Sequence, residues 1–314
     1  MNFQRSLIFI CIFLSILITV SPGFAKLNIV TTTEDIAAIA KEVAGNLAEV
    51  QSIAKGSQDP HFIQAKPSTM VKLNRADLLI YQGLELEAGW LPGLIAGARN
   101  PKILPNAPGH LDLSSVIKPM EVHHGEVDRS KGDVHPLGNP HYPLDPKNGF
   151  LMAMTIADML GKLDPANDST YQGNMFRFTS QLRKKIGEWA GRLKKIPNKK
   201  VVTYHQTWSY FLQQFGIERV GVVEIVPGVS PSPKHLLALA KTMKKQRVRV
   251  ILQANFYEPK FSQLLAEKSG AKVLNLPAAV GGSPEAKDYI TLFEVLVTQL
   301  EKAFPRHHTK PSSK

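Results

Sequence analysis

From Asn148 to Lys195 the apolar residues keep helical spacing, broken only at Asp164-Pro165, and on both sides short β-branched runs alternate with helical ones. Such alternation builds βαβ units, which lay the strands parallel and put helices on the sheet faces. Before the helical stretch the spacing predicts strands over Leu27–Thr32, Ala48–Ala54, Asp77–Gln82 and Lys102–Leu104, with helices over Ile36–Ala44, Pro67–Asn74 and Glu85–Ala98. After it come strands over Lys200–Tyr204, Arg219–Glu224, Val248–Leu252 and Ala271–Leu276. The helices among them are Thr207–Phe215, one opened by Ser232-Pro233-Lys234, Pro259–Ser269 and Asp288–Phe304. The helix Ser169–Lys195 would be about 40 Å long at 1.5 Å per residue, more than one small lobe needs. The fold class expected is α/β, with two lobes of mostly parallel sheet flanked by helices. A long rigid helix joins them, and a metal site lies in the cleft between them. The lobes are residues 26–146 and 197–305, with 147–196 as the linking region.

The segment ahead of the first lobe reads differently. Arg5 is followed by an apolar run from Ser6 to Val20, and Gly23 and Ala25 put small residues where a signal peptidase needs them. The run is about 15 residues, shorter than the ~20 that a membrane span needs. Residues 1–25 are therefore read as a signal peptide cleaved after about Ala25, with a membrane anchor as the alternative. The single cysteine, Cys11, lies inside that run, so the mature chain has neither disulfides nor thiolate ligands. An exported chain without a lipid-bearing cysteine implies a periplasm. The net charge of +12 comes from scattered Lys and Arg without interleaved aromatics, which argues against nucleic acid as a partner. Residues 306–314 read as a disordered tail.

Metal chemistry is suggested by three histidines in constrained settings. His61 follows Asp59-Pro60, His141 follows Asn139-Pro140 and precedes Tyr142-Pro143-Leu144-Asp145-Pro146, and His205 follows the strand ending at Tyr204. In α/β sheets ligands sit beyond the C-terminal ends of strands, where His61 and His205 fall. Proline ahead of two of the histidines reduces the ordering cost of binding. A chain without thiolates binds zinc through imidazole and carboxylate. The loop of about residues 119–138 holds a second group, His123, His124 and His135, beside Glu121, Glu126, Asp128 and Asp133. Such a loop either collects metal weakly or is merely solvated.

The segments Asp59-Pro60-His61, Asn139-Pro140-His141 with Leu144-Asp145-Pro146, Tyr204-His205, and Glu224-Ile225-Val226-Pro227-Gly228 followed by Ser230-Pro231-Ser232-Pro233 occur in this order. Together they resemble the zinc/manganese (cluster A-I) solute-binding proteins of bacterial ABC importers, over essentially residues 26–305. The resemblance implies a non-enzymatic monomer that captures metal in the periplasm and delivers it to a membrane permease driven by an ATPase. It assigns His61, His141 and His205 as ligands. Three imidazoles favour Zn²⁺ over Mn²⁺, the harder ion preferring more oxygen. The family commonly adds an aspartate from the loop before the last helix, but that loop here, Pro277-Ala278-Ala279-Val280-Gly281-Gly282, has no carboxylate. Glu224, a water or another residue is left for the fourth position, with Asp59 a weaker candidate. Two other functions fit the same residues: a hydrolase using a three-histidine zinc and its water, and a periplasmic zinc buffer without a transporter.

Overall fold

The computed structural model describes residues 26–122, 135–225 and 228–304. The expected signal peptide, the tail, His123 and His124 lie outside the described residues.

Two four-stranded sheets carry the fold, and every strand pairing in them is parallel. The first has the order β2-β1-β3-β4, from β1 (Leu27–Thr31), β2 (Ala48–Ser52), β3 (Leu78–Tyr81) and β4 (His110–Asp112). The second has the order β6-β5-β7-β8, from β5 (Lys200–Thr203), β6 (Glu218–Val222), β7 (Val250–Ala254) and β8 (Lys272–Leu276). The two orders are the same: the second strand of each lobe flanks the first on one side and the third flanks it on the other. The connections therefore diverge at the C-terminal ends of β1 and β5, where α/β sheets open a crevice for ligands.

The helices of the first lobe are α1 (Glu34–Ala44), α2 (Pro67–Asn74) and α3 (Leu91–Ala98). The linking pair is α4 (Asn148–Leu163) and α5 (Asp168–Lys194), and the second lobe carries α6 (Ser209–Gln214), α7 (Pro233–Gln246), α8 (Lys260–Ser269) and α9 (Tyr289–Ala303). Ser232 caps α7 by accepting from the His235 N–H, and Asp288 with Thr291 forms a capping box on α9. Both helices begin where local chemistry predicts.

Two sequence expectations are corrected. Lys102–Leu104 is not a strand: the Asn100 side chain accepts from the Lys102 N–H, and Pro101–Ile103 is a 3₁₀ turn. The fourth strand is instead His110–Asp112, paired with β3. The helix expected from Glu85 begins only at Leu91, because Leu84 and Glu85 adopt φ of 50° and 64°. The Glu87 carboxylate there accepts from the N–H groups of Gln82 and Gly83, which holds the turn out of helical geometry.

The 27-residue α5 is gripped at both ends. Near its start Asn174 Nδ2 donates to the Val43 carbonyl of α1 at 2.9 Å. Near its end Trp189 stacks on Phe293 of α9 at 5.4 Å, and its Nε1 donates to Glu294 at 2.9 Å. Arg192 donates to Glu301 at 2.7 Å. Tyr289, Leu292, Phe293, Leu296, Val297 and Leu300 bury one face of α9, an i, i+3, i+4, i+7 stripe. One continuous hydrophobic cluster runs from Ile29 and Ile36 through Tyr171, Phe178 and Trp189 to Phe293 and Val250, so the lobes and the linking helices share a core.

The lobes also touch beside the cleft. Asp35, at the start of α1, accepts from the Val280 N–H at 2.9 Å. Burial pushes its carboxyl up to about 7, although that hydrogen bond pulls the other way. Gly56 lies against the same loop, where a Cβ would meet the Val280 carbonyl oxygen at 1.8 Å. Both sides of that contact are backbone, so Gly56→Ala must push the loops apart. Overpacking of this kind costs about 1–3 kcal/mol, and the variant's thermal melting point is expected to fall accordingly. An unchanged melting point would contradict this packing of the two lobes.

Candidate metal centre

The two Pro-His motifs fold in the same way. Asp59 Oδ1 accepts from the His61 N–H at 3.1 Å, and Asn139 Oδ1 accepts from the His141 N–H at 2.8 Å. Each is an Asx turn, in which a short polar side chain bonds its own backbone two residues on. The intervening proline carbonyls are tied down as well: Trp90 Nε1 donates to Pro60 O at 3.0 Å and Gln82 Nε2 donates to Pro140 O at 2.6 Å. Both histidines are thus fixed before any ion arrives.

The acid in one motif and the amide in the other have separate reasons. The Asp59 carboxylate also lies 2.6 Å from His61 Nδ1. Burial works to raise the Asp59 carboxyl, but the hydrogen bonds and charge of His61 prevail and hold it below the ordinary range. The carboxylate accepts the Nδ1 proton, which leaves the lone pair on His61 Nε2. A carboxylate that orients an imidazole in this way is the usual support of a metal-ligating histidine. Asn139 must donate: its Nδ2 gives hydrogen bonds to Glu121 at 2.7 Å and to the Gln206 carbonyl at 2.9 Å. Glu121 pairs with Arg219 at 2.7 Å, and Tyr210 Oη donates to Asn139 O at 2.8 Å. The amide therefore stitches the His141 motif to the second lobe.

His205 lies just past the C-terminal end of β5. The ligand atoms of His61, His141 and His205 lie within 4.8 Å of one another, and all three residues are buried. Their ring centroids are 5.2, 5.9 and 5.6 Å apart. Two buried nitrogens of these rings, His141 Nε2 and His205 Nδ1, have no hydrogen-bond partner. Burial, followed by the charges of the neighbouring histidines, lowers His141 well below its ordinary value and brings His205 to about 3. Near neutral pH both rings are uncharged and carry lone pairs, as metal ligation requires. Unsatisfied imidazole donors converging from two lobes fit a divalent transition ion.

Glu224 is buried and lines a pocket of about 320 Å³ shared with Asp59, His61 and His205. Its backbone N–H donates to Tyr204 O at 2.8 Å, and its Oε1 accepts from the Gly228 N–H. Glu224 is not one of the three residues whose donor atoms cluster; its carboxylate closes the turn to Gly228. The residue that sequence reasoning left unassigned is His135. It is buried, and its Nε2 lies 3.1 Å from His61 Nε2. The signal was the turn His135-Pro136-Leu137-Gly138, which Gly138 closes at φ 119° by donating to the His135 carbonyl at 3.1 Å. That turn folds His135 back over the site.

The zinc-uptake complex component A (ZnuA), periplasmic, family model matches residues 29–303. The chain is 29% identical to the metal ABC transporter substrate-binding lipoprotein ScbA of Streptococcus cristatus, over 72% of this chain and 71% of that protein. It is also 29% identical to the manganese ABC transporter substrate-binding lipoprotein PsaA of Streptococcus pneumoniae, over 71% and 70%. A crystal structure of ZnuA matches its fold with a TM-score of 0.75 at 23% identity, covering 89% of this chain and 99% of that one. This likeness supports the two-lobe α/β architecture. The chain therefore belongs to the zinc-uptake complex component A family, the periplasmic metal-binding components of ABC importers, and is a substrate-binding protein and not an enzyme.

Proposed function

We propose that the protein captures one zinc ion, in preference to manganese, and hands it to the membrane permease of an ATPase-driven importer. The observation that carries this reading is the donor set: among the described residues, three buried imidazoles cluster at one point and no carboxylate joins them. Zinc accepts such a shell, whereas manganese prefers more oxygen. The family description names zinc and the PsaA relatives are named for manganese, so the choice rests on this chain's own donors. His61, His141 and His205 are the ligands in this reading. Glu224 lines the same pocket and holds the turn to Gly228. The two lobes close the cleft, and the linking region keeps them in register. Export to the periplasm follows from residues 1–25. ScbA and PsaA are named lipoproteins, but here the single cysteine, Cys11, sits within the apolar run, so the exported chain is read as unlipidated.

Chelator competition on the demetallated protein tests the site. Wild type is expected to bind one zinc tightly, with manganese competing poorly. His141→Ala and His205→Ala are expected to lose more than the roughly 100-fold that removal of an outer-shell partner costs, and Glu224→Ala far less. Manganese bound as tightly as zinc would overturn the metal assignment, and full affinity in His141→Ala would overturn the ligand set.

The depressed histidines also set a pH dependence. The unfolded chain protonates His205 near 6.5 while the folded protein resists until about 3. Between those values the unfolded state binds more protons, so the stability of the metal-free protein falls as pH drops through that window. Denaturant titrations from pH 7 to pH 4 are expected to show this loss, with a shallower slope in His205→Gln. Equal slopes in the two proteins would contradict it.

A further inference from the structure

The net charge of +12 is scattered along the sequence but not around the fold. Residues 26–146 hold 11 Lys and Arg against 14 Asp and Glu, whereas residues 147–305 hold 23 against 12. Much of the excess gathers at one end of the second lobe. Where parallel strands are joined by crossover helices, the helices run back against the strands, so helix C-termini and strand N-termini share one end of the sheet. The last turn of α7 brings Lys244 and Lys245 to that end. α5 leads into β5, so Lys194 and Lys195 at its C-terminus arrive there too. Arg247 and Arg249 stand just ahead of β7, and Lys200 and Lys272 open β5 and β8. The register makes these positions neighbours: Val201 of β5 is opposite Val250 of β7, and Val250 is opposite Lys272. The Lys272 N–H donates to Arg249 O at 2.8 Å, and Lys200 Nζ donates to the Gln246 side chain at 3.2 Å. His205 lies beyond the other end of β5, so this face points away from the metal site.

All of these cations except Lys200 are exposed, and among the described residues only Lys200 has an ion-pair partner, Glu218 at 3.2 Å. The helix macrodipole accounts for lysine in a last helical turn, but not for Arg249 and Lys272, which stand at strand starts. We propose that this end of the second lobe docks the protein on an anionic phospholipid membrane. Phosphate-bearing headgroups attract clustered Lys and Arg within about a Debye length of the surface, and the face supplies that sign of charge with almost nothing to neutralise it. Segments 194–200, 244–250 and 268–274 contain no aromatic residue on which a base could stack, which favours headgroups over single-stranded nucleic acid. The contact is electrostatic and therefore reversible and weakened by salt. It leaves the metal site, at the opposite end of the sheet, free to load. With the export reading above, charge then holds an unlipidated chain near the membrane that contains its permease; the docking itself does not depend on that reading or on the metal ligands.

The test is co-sedimentation of the chain from residue 26 onward, which omits the apolar run that would itself enter lipid. The vesicles are phosphatidylcholine alone and phosphatidylcholine mixed with phosphatidylglycerol, each at low salt and at about 0.15 M. Two variants of equal net charge are compared with wild type. One carries Lys195→Gln, Lys244→Gln, Lys245→Gln and Lys272→Gln on the face. The other carries Lys26→Gln, Lys66→Gln, Lys72→Gln and Lys162→Gln, exposed positions away from it. Wild type is expected to bind the phosphatidylglycerol vesicles at low salt, to bind less at the higher salt, and to ignore phosphatidylcholine. The face variant is expected to bind about tenfold more weakly or worse, and the other variant to stay within a few-fold of wild type. Zinc affinity by chelator competition is expected to be the same in all three, which shows that the face variant is folded. Wild type that ignores phosphatidylglycerol, or that binds phosphatidylcholine equally well, would overturn the proposal without any variant. Equal loss in the two variants would assign the binding to net charge and overturn the face.

Discussion

An unsatisfied buried polar atom costs about 1–3 kcal/mol, and both His141 Nε2 and His205 Nδ1 are in that position. The fold supports this cost because the scaffold fixes each ring from outside. Asp59 holds His61 through its outer nitrogen and its backbone. Asn139 holds the His141 backbone while its amide is anchored on the other lobe. His205 is placed by the end of a central strand. One donor atom from each of His61, His141 and His205 lies within 4.8 Å of the others, and a cation offsets the cost of bringing them together. Binding is thus favoured by what the protein withholds from those nitrogens as much as by what it supplies.

The rest of the structure keeps that arrangement from collapsing. Two lobes with the same strand order bring their ligand crevices face to face. The linking helix α5 is tied to α1 near one end and to α9 near the other, and the hydrophobic core runs through all of these elements. The close approach of Gly56 to Val280 and the hydrogen bond from Val280 to Asp35 set the lobe spacing near the site. Burial of Glu87, whose carboxyl is pushed up to about 7, serves a related purpose. Its hydrogen bonds from Thr32, Gln82 and Gly83 fix the end of β3, from which Gln82 reaches Pro140 O.

Much of this was legible in the sequence, for physical reasons that differ by element. The parallel sheets followed from strands spaced by helical segments, and α9 from its apolar stripe and capping pair. His61 and His141 stood out because proline before a histidine is a costly restriction without a role. The misses occurred where short-range chemistry overrode periodicity. The Asn100 cap turned Pro101–Ile103 into a 3₁₀ turn, and β4 is only three residues long with a polar start at His110. Positive φ at Leu84 and Glu85 delayed α3, a departure no apolar pattern marks. His135 was hidden because its position depends on a turn and on contacts 74 residues away along the chain. Composition alone grouped it with His123 and His124.

Zinc K-edge X-ray absorption on the one-to-one complex reads directly whether the three histidines share one ion. The first shell is expected to be dominated by nitrogen at about 2.0–2.1 Å, with the outer scattering of at least three imidazole rings. A shell dominated by oxygen, or one holding a single imidazole, would contradict the convergence of His61, His141 and His205 on one ion.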